Sequence, residues 1–238
     1  MNLDAVWHDL ECGRYSEDFA LWHALARRTG GPVLDVGAGT GRVTLELAAQ
    51  GVEVIALDVA EPLLAALRCR AGDLPVETLL SDARHFYLDR QLSLIVVPMQ
   101  TLQLFGGRRG RAAFFHTALA HLIPGGLLAA ALADAMDCFD DAHDMPPPPE
   151  AREILGVLYS SQLLRVVEDS GRAAIHRRRE MIRADRHETQ DLVVHLDRVS
   201  ADDVAIEAEQ VGFITEPHLL IPETDEYLGS TVVVLRAP

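Results

Sequence analysis

The stretch Asp35-Val36-Gly37-Ala38-Gly39-Thr40-Gly41 packs an acid and three glycines into one short segment. Glycines between a strand and a helix let the backbone come into contact with a ligand, because no Cβ intervenes. A turn of this kind is common to many nucleotide sites, but its spacing is more selective. Gly37, Gly39 and Gly41 follow GxGxG, and Arg42 stands where the dinucleotide pattern GxGxxG would place its third glycine. Asp35 precedes the first glycine, a poor neighbour for a pyrophosphate. Two more acids, Asp58 and Asp82, follow the next two apolar segments. Each alone reads as a helix cap or a solvated turn. Together they suit a ligand that carries positive charge and offers hydroxyl and amino donors.

Strands must bring these acids to one edge. Residues 16–28 set Phe19, Leu21, Trp22, Leu25 and Ala26 at helical spacing. Short apolar runs at 32–36, 52–57, 76–80, 92–97 and 127–132 read as buried parallel strands, and helices at 42–50, 61–71 and 111–122 separate them. The alternation predicts an α/β, doubly wound sheet. Residues 137–149 then turn acidic and end in Pro146 to Pro149, which favour an extended segment. Alternating residues over 159–169, 172–184 and 190–199 predict a three-stranded antiparallel cap inserted into the sheet domain. Ser200 caps a further helix, and strands at 214–221 and 230–236 close the chain. The expected division is 1–134 with 200–238 as the ligand-binding domain, and 135–199 as an inserted lid and antiparallel β cap.

With the motifs in place, the chain resembles the class I S-adenosylmethionine-dependent methyltransferases of the small-molecule kind. The resemblance rests on Val33-Leu34-Asp35-Val36-Gly37-Ala38-Gly39-Thr40-Gly41-Arg42, Leu57-Asp58, Ser81-Asp82-Ala83 and Leu122-x-Pro124-Gly125-Gly126-Leu127. It implies a Rossmann-like seven-stranded sheet with an antiparallel C-terminal strand. It also implies S-adenosylmethionine as methyl donor, leaving as S-adenosylhomocysteine. An acid at Asp35 makes sense for such a ligand, whose ammonium needs acceptors and whose sulfonium favours negative potential. Asp58 and the neighbouring Val59 would face the ribose, and Asp82 with Ala83 the adenine. Gly37, Ala38, Gly39, Thr40 and Gly41 would cradle the methionyl part, with Pro98, Met99 and Gln100 beside it. In similar enzymes a tyrosine of the N-terminal segment covers the cofactor, which makes Tyr15 a candidate; packing is the alternative.

Methyl transfer from a sulfonium disperses charge, so alignment alone accounts for much of the catalysis. A base is required only if the acceptor must lose a proton. His143, in an acidic lid segment, is the base to test first; Gln103 and Tyr159 are candidates for the acceptor pocket. No metal site is expected, and His116 and His121, five apart on a helix, do not share a face. The acceptor, on an oxygen or a nitrogen of a small molecule, is left open. The alternatives are a non-catalytic binder of the same cofactor and, against the glycine spacing, a nicotinamide-dependent oxidoreductase.

Composition narrows the partners. The 238 residues carry 36 acidic against 21 basic side chains, a formal charge of −15, which disfavours nucleic acid and anionic membrane. Every basic residue other than histidine is arginine, so lysine chemistry is excluded. Three scattered cysteines and an N-terminus without a basic or long apolar run predict a cytoplasmic chain. Exposed strand edges in the cap would permit a homodimer.

Overall fold

A computed structural model describes residues 2–133, 138, 146–224 and 229–238. Two helices precede the sheet: α1 (Leu3–Cys12) and α2 (Phe19–Thr29). The sheet domain continues with β1 (Val33–Val36), α3 (Arg42–Ala49), β2 (Val54–Asp58), α4 (Glu61–Ala71), β3 (Val76–Leu80) and β4 (Leu92–Val97). A 3-10 turn, η1 (Thr101–Leu104), leads to α5 (Gly107–His121) and β5 (Leu122–Leu132). Next come β6 (Glu150–Ile154), β7 (Val157–Asp169), β8 (Arg172–Ile182) and β9 (His187–Asp197), and then α6 (Ala201–Glu209), β10 (Ile214–Ile221) and β11 (Ser230–Arg236).

The large sheet has seven strands in the order β10-β11-β5-β4-β1-β2-β3. β1 to β5 run parallel, and β11 lies antiparallel between β5 and β10. The doubly wound fold with a reversed C-terminal strand is therefore present. Because helices cover both faces, strand residues are buried on either side, which is why the central strands read as unbroken apolar runs. Leu34, Ile55, Ile95 and Val233 face the core formed with Phe114, Phe115 and Val204. Val33, Val54, Leu94 and Val232 face Trp22, Leu25 and Leu47 on the other side.

β6 to β9 form a separate antiparallel sheet of four strands. Three were expected. The missed strand, β6, joins β7 through Leu155-Gly156, whose φ angles of 52° and 75° make the two-residue turn that matches strand twist. α1 was also missed. Asn2 caps it by accepting the N–H groups of Asp4 and Ala5, and its buried Trp7 and Leu10 pack against Val157 and Tyr159 of the new sheet. The anticipated α5 began later, at Arg111, and the anticipated β5 at Leu127. Ser200 caps α6 as predicted, its Oγ accepting Asp203 N–H at 3.1 Å.

Two polar clamps fasten the small sheet to the large one. Gln103 of η1 donates to the carbonyls of Ala133 and Asp197 and accepts Ala133 N–H. Arg111 of α5, buried, pairs with Asp197 at the end of β9 and with Glu207 of α6. Among the described residues no helix is long and apolar enough to cross a membrane.

Candidate functional site

The site lies at the carboxyl edge of the parallel strands. After β1 the chain turns through Gly37, Gly39 and Gly41, with φ of 73°, 56° and 95°. Gly37 and Ala38 donate to Leu57 O at 2.9 and 3.0 Å. Gly39 N–H donates to Asp58 Oδ2 at 2.8 Å, while Asp58 Oδ1 accepts Ala60 N–H at 2.8 Å. The acid ending β2 thus locks the glycine loop from below and keeps lone pairs for a ligand.

Each glycine answers to a different neighbour. A Cβ on Gly37 would stand 2.6 Å from Thr101 Cγ2, on Gly39 2.2 Å from His8 Nε2, and on Gly41 2.2 Å from Leu67 Cδ1. The GxGxG spacing is what lets η1, α1 and α4 close on one loop. Arg42, in the slot of a dinucleotide glycine, reaches outward instead. It pairs with buried Asp18 through Nη1 and Nη2 at 2.6 and 2.7 Å, donates to Tyr15 O at 2.8 Å, and lies over the Tyr15 and Phe19 rings. Trp22 Nε1 completes Asp18 at 2.8 Å. One side chain therefore ties the α1–α2 connection to the loop.

Asp35 is buried against α3. Thr44 Oγ1 donates to its Oδ2 at 2.6 Å, and its Oδ1 has no partner among the described residues. Burial pushes its carboxyl up to about 6, with the Thr44 hydroxyl acting in the opposite sense. Asp82 is differently placed: Arg84 Nε donates to both oxygens at 2.9 and 3.1 Å and holds the carboxyl down at about 2. Ala83 is buried in the core and Val59 is exposed. After β4, Pro98 is buried, Met99 takes a φ of 55°, and Met99 and Gln100 are half-buried.

Tyr15 is buried in the α1–α2 connection, packed with Trp22, Ile221 and Val232, and burial pushes its hydroxyl up to about 12. The residue that lies on the glycine loop is His8 of α1. Its Nε2 and Cε1 occupy the space over Gly39. Thr40 Oγ1 donates to Asp9 Oδ1 at 2.7 Å, which leaves it to accept the Nδ1–H of His8 at 3.1 Å. Nε2 then presents a lone pair to the loop. Burial lowers the His8 pKa, opposed by Asp9, Asp58 and Glu11. Sequence reasoning missed this residue because it missed α1; Asn2 followed by Ala5, Trp7 and Leu10 was the available signal.

The acceptor-side expectations need revision. Gln103 spends both ends of its amide on backbone at Ala133 and Asp197, so it braces the cap rather than orienting an acceptor. Tyr159 is buried edge-on against Trp7, ring centroids 5.3 Å apart, and serves as packing between β7 and α1. His143 lies outside the described residues. His121 accepts Leu88 N–H at Nε2 and donates from Nδ1 to Thr117 O, a structural role.

Residues 33–126 of this chain match the methyltransferase domain family. A curated relative, the cypemycin N-terminal methyltransferase of a Streptomyces species, is 29% identical over 144 residues. That match covers 60% of this chain and 56% of the relative, so the chain aligns with little more than half of its length. Among solved structures, the sugar N-methyltransferase KedS8 of Streptoalloteichus has a TM-score of 0.75 at 17% identity, covering 97% of this chain and 91% of that one. CalS10, an amino pentose methyltransferase of Micromonospora echinaspora, has a TM-score of 0.71 at 18% identity, covering 98% and 97%. At these identities the likeness to the structures is one of fold.

Proposed function

We propose that this chain transfers a methyl group from S-adenosylmethionine to a nitrogen of a small natural-product molecule. The observation that carries the reading is the glycine cradle flanked by two buried acids. Asp35 keeps an oxygen without a partner, and Asp58 spends its own on the loop's backbone while retaining acceptor capacity. A cradle of this shape and charge fits a cationic amino acid joined to a nucleoside and repels a pyrophosphate. The preference for nitrogen is supported by the names of similar proteins, which give an N-terminal methyltransferase, a sugar N-methyltransferase and an amino pentose methyltransferase.

The bound donor would supply an electrophilic methyl on sulfur. Gly37 to Gly41 would hold its amino-acid part, Asp58 and Val59 its ribose, and Ser81 to Ala83 its base, with Asp82 free to rotate off Arg84 or to remain paired with it. Met99 and Gln100 would flank the transfer point. α1 closes over the loop through His8, which excludes water from the reacting centre and fixes the acceptor's direction of approach. Alignment of this kind contributes roughly 7–11 kcal/mol in favourable systems. Residues 1–134 and 200–238 form the donor-binding unit in this reading, and 135–199 the acceptor unit.

Calorimetric titration with S-adenosylhomocysteine tests the donor. The wild-type protein should bind it, and Asp58→Ala should weaken binding about tenfold or more, as expected for a charge-assisted pair of hydrogen bonds. Absence of binding by the wild-type protein at millimolar ligand would overturn the assignment.

A further inference from the structure

The inner face of the cap is unusually polar where it meets the end of α1. Register places Glu150, Ser161, Arg179 and Gln190 in one row across β6, β7, β8 and β9, and Arg177 lies one row on, on the same face of β8. Two members of this row, Ser161 and Arg179, are tied to α1. Glu11 of α1 receives Arg179 Nε and Nη2, each at 2.7 Å, and Ser161 Oγ at 2.7 Å. Arg179 also lies over the Trp7 ring.

Glu150 and Arg177 differ. Arg177 gives one N–H to Ser161 Oγ at 3.1 Å, and its other nitrogen stops 3.7 Å short of Glu150 Oε1. No described residue donates a hydrogen bond to Glu150 within normal reach. The carboxylate is nonetheless half-buried. Burial raises its pKa, Arg177 opposing and Glu11 reinforcing the shift. The pair lies close to the loop side of the molecule. Glu150 feels Arg14, and Cys12 feels Arg177, Glu150 and Arg42 together. A cleft of about 380 Å³ lined by Asp9, Gly13, Arg14, Thr40, Arg42 and Arg152 borders the glycine loop and β6; Glu150 stands two residues from Arg152 on that strand and does not itself line it.

We infer that Glu150, backed by Arg177, is the subsite for the acceptor's amine. This deepens the proposed function and rests on it. An amine acceptor is an ammonium at neutral pH and cannot attack until it loses a proton. A half-buried carboxylate whose arginine is held off at 3.7 Å has the charge and the open coordination to bind that ammonium. The N–H proton passes to Glu150. The nitrogen lone pair then forms the N–CH3 bond as the C–S bond of the sulfonium breaks, its electron pair going to sulfur. Sulfur leaves as a neutral thioether and the positive charge moves to nitrogen. Arg177 keeps Glu150 ionised enough to attract the cation, and Glu150's desolvation keeps it basic enough to take the proton. A neutral hydroxyl offers no cation for Glu150 to hold.

The test uses wild-type protein, Glu150→Gln and Glu150→Asp with saturating S-adenosylmethionine. Three amine probes are each set beside a neutral counterpart: glucosamine with glucose, alaninamide with lactamide, and trialanine amide with its N-acetyl form. S-adenosylhomocysteine formation is followed across pH, together with cofactor affinity and melting temperature. At least one amine should turn over and its counterpart should not. Glu150→Gln should lower kcat/KM at least tenfold and remove the acidic limb of its pH profile, and Glu150→Asp should restore part of both. Cofactor affinity and melting temperature should stay at wild-type values. Turnover of a neutral counterpart, full activity in Glu150→Gln, or idleness on every amine by protein that binds S-adenosylhomocysteine would each overturn the subsite. Failure to bind S-adenosylhomocysteine at all would instead overturn the functional reading beneath it.

Discussion

At the glycine loop the contacts made by the acids are short in sequence: Gly39 N–H meets Asp58 only 19 residues on, and Thr44 of α3 meets Asp35 across 9. In the cap they join distant parts of the chain, with Ser161 and Arg179 reaching Glu11 across 150 and 168 residues. The glycine loop is thus a local design, and the cap's junction with α1 is an assembly of remote pieces. α1 belongs to both. His8 and Asp9 hold it to the loop and to Arg70, while Trp7 and Glu11 hold it to the cap. A helix clamped at two places can register the state of one side at the other.

The largest effect should come from the buried pair that anchors the N-terminal segment to the loop. Arg42 and Asp18 have side-chain exposures of 8% and 0%. Arg42→Met would leave Asp18 as an uncompensated buried charge, at a cost of about 3–5 kcal/mol. Denaturant unfolding measures it. A loss below 1 kcal/mol would mean that the donor side does not depend on this pair, and the contrast with the cap would fail there.

Next in size is Gly39→Ala. The new methyl would be 2.2 Å from His8 Nε2, at a φ of 56° that disfavours alanine. α1 must lift from the loop to make room. S-adenosylhomocysteine affinity should fall roughly a hundredfold, about 2.7 kcal/mol. Far-UV circular dichroism should keep the wild-type sheet signal, since the cap's strand pairing lies elsewhere. Unchanged affinity would show that α1 does not close on the ligand.

Legibility follows the same division. β1, β2 and β4 were readable because burial on both faces forces nearly continuous apolar runs, and the three acids were readable because each sits near the carboxyl end of a strand. Two hairpins of the cap make the point at finer scale. Ser170-Gly171 and Leu155-Gly156 adopt nearly the same turn, with φ of 53° and 78° in one and 52° and 75° in the other. Only the first uses a residue type that marks a turn. The second puts an exposed leucine at the tip, so β6 merged into its surroundings. β6 is also an edge strand with both faces largely exposed, and Glu150-Ala151-Arg152-Glu153 shows no alternation to betray it. Gln103 and Tyr159 were drawn to the acceptor by type and position, whereas their partners at Asp197 and Trp7 depend on topology that no local pattern displays.

The smallest expected effect probes α1 where its two roles meet. His8 is neutral over Gly39, with Nδ1–H committed to Thr40, and the charged groups around it are Asp9 and Glu11 on its own helix, Asp58 on β2 and Arg42 on α3, with Arg70 of α4 pairing Asp9. Burial outweighs the acids and lowers its pKa below the ordinary 6.5. The folded protein therefore binds fewer protons than the unfolded chain between the lowered value and 6.5. Stability from this group is complete above pH 6.5 and declines as pH falls through that window. The difference in melting temperature between wild type and His8→Gln should narrow as pH drops from 7.5 to 5, because glutamine does not titrate. Affinity for S-adenosylhomocysteine should follow the same slope in the wild type and flatten in the variant. A difference that stays constant over that range would place His8 outside the closed loop, and α1 would then answer to the cap alone.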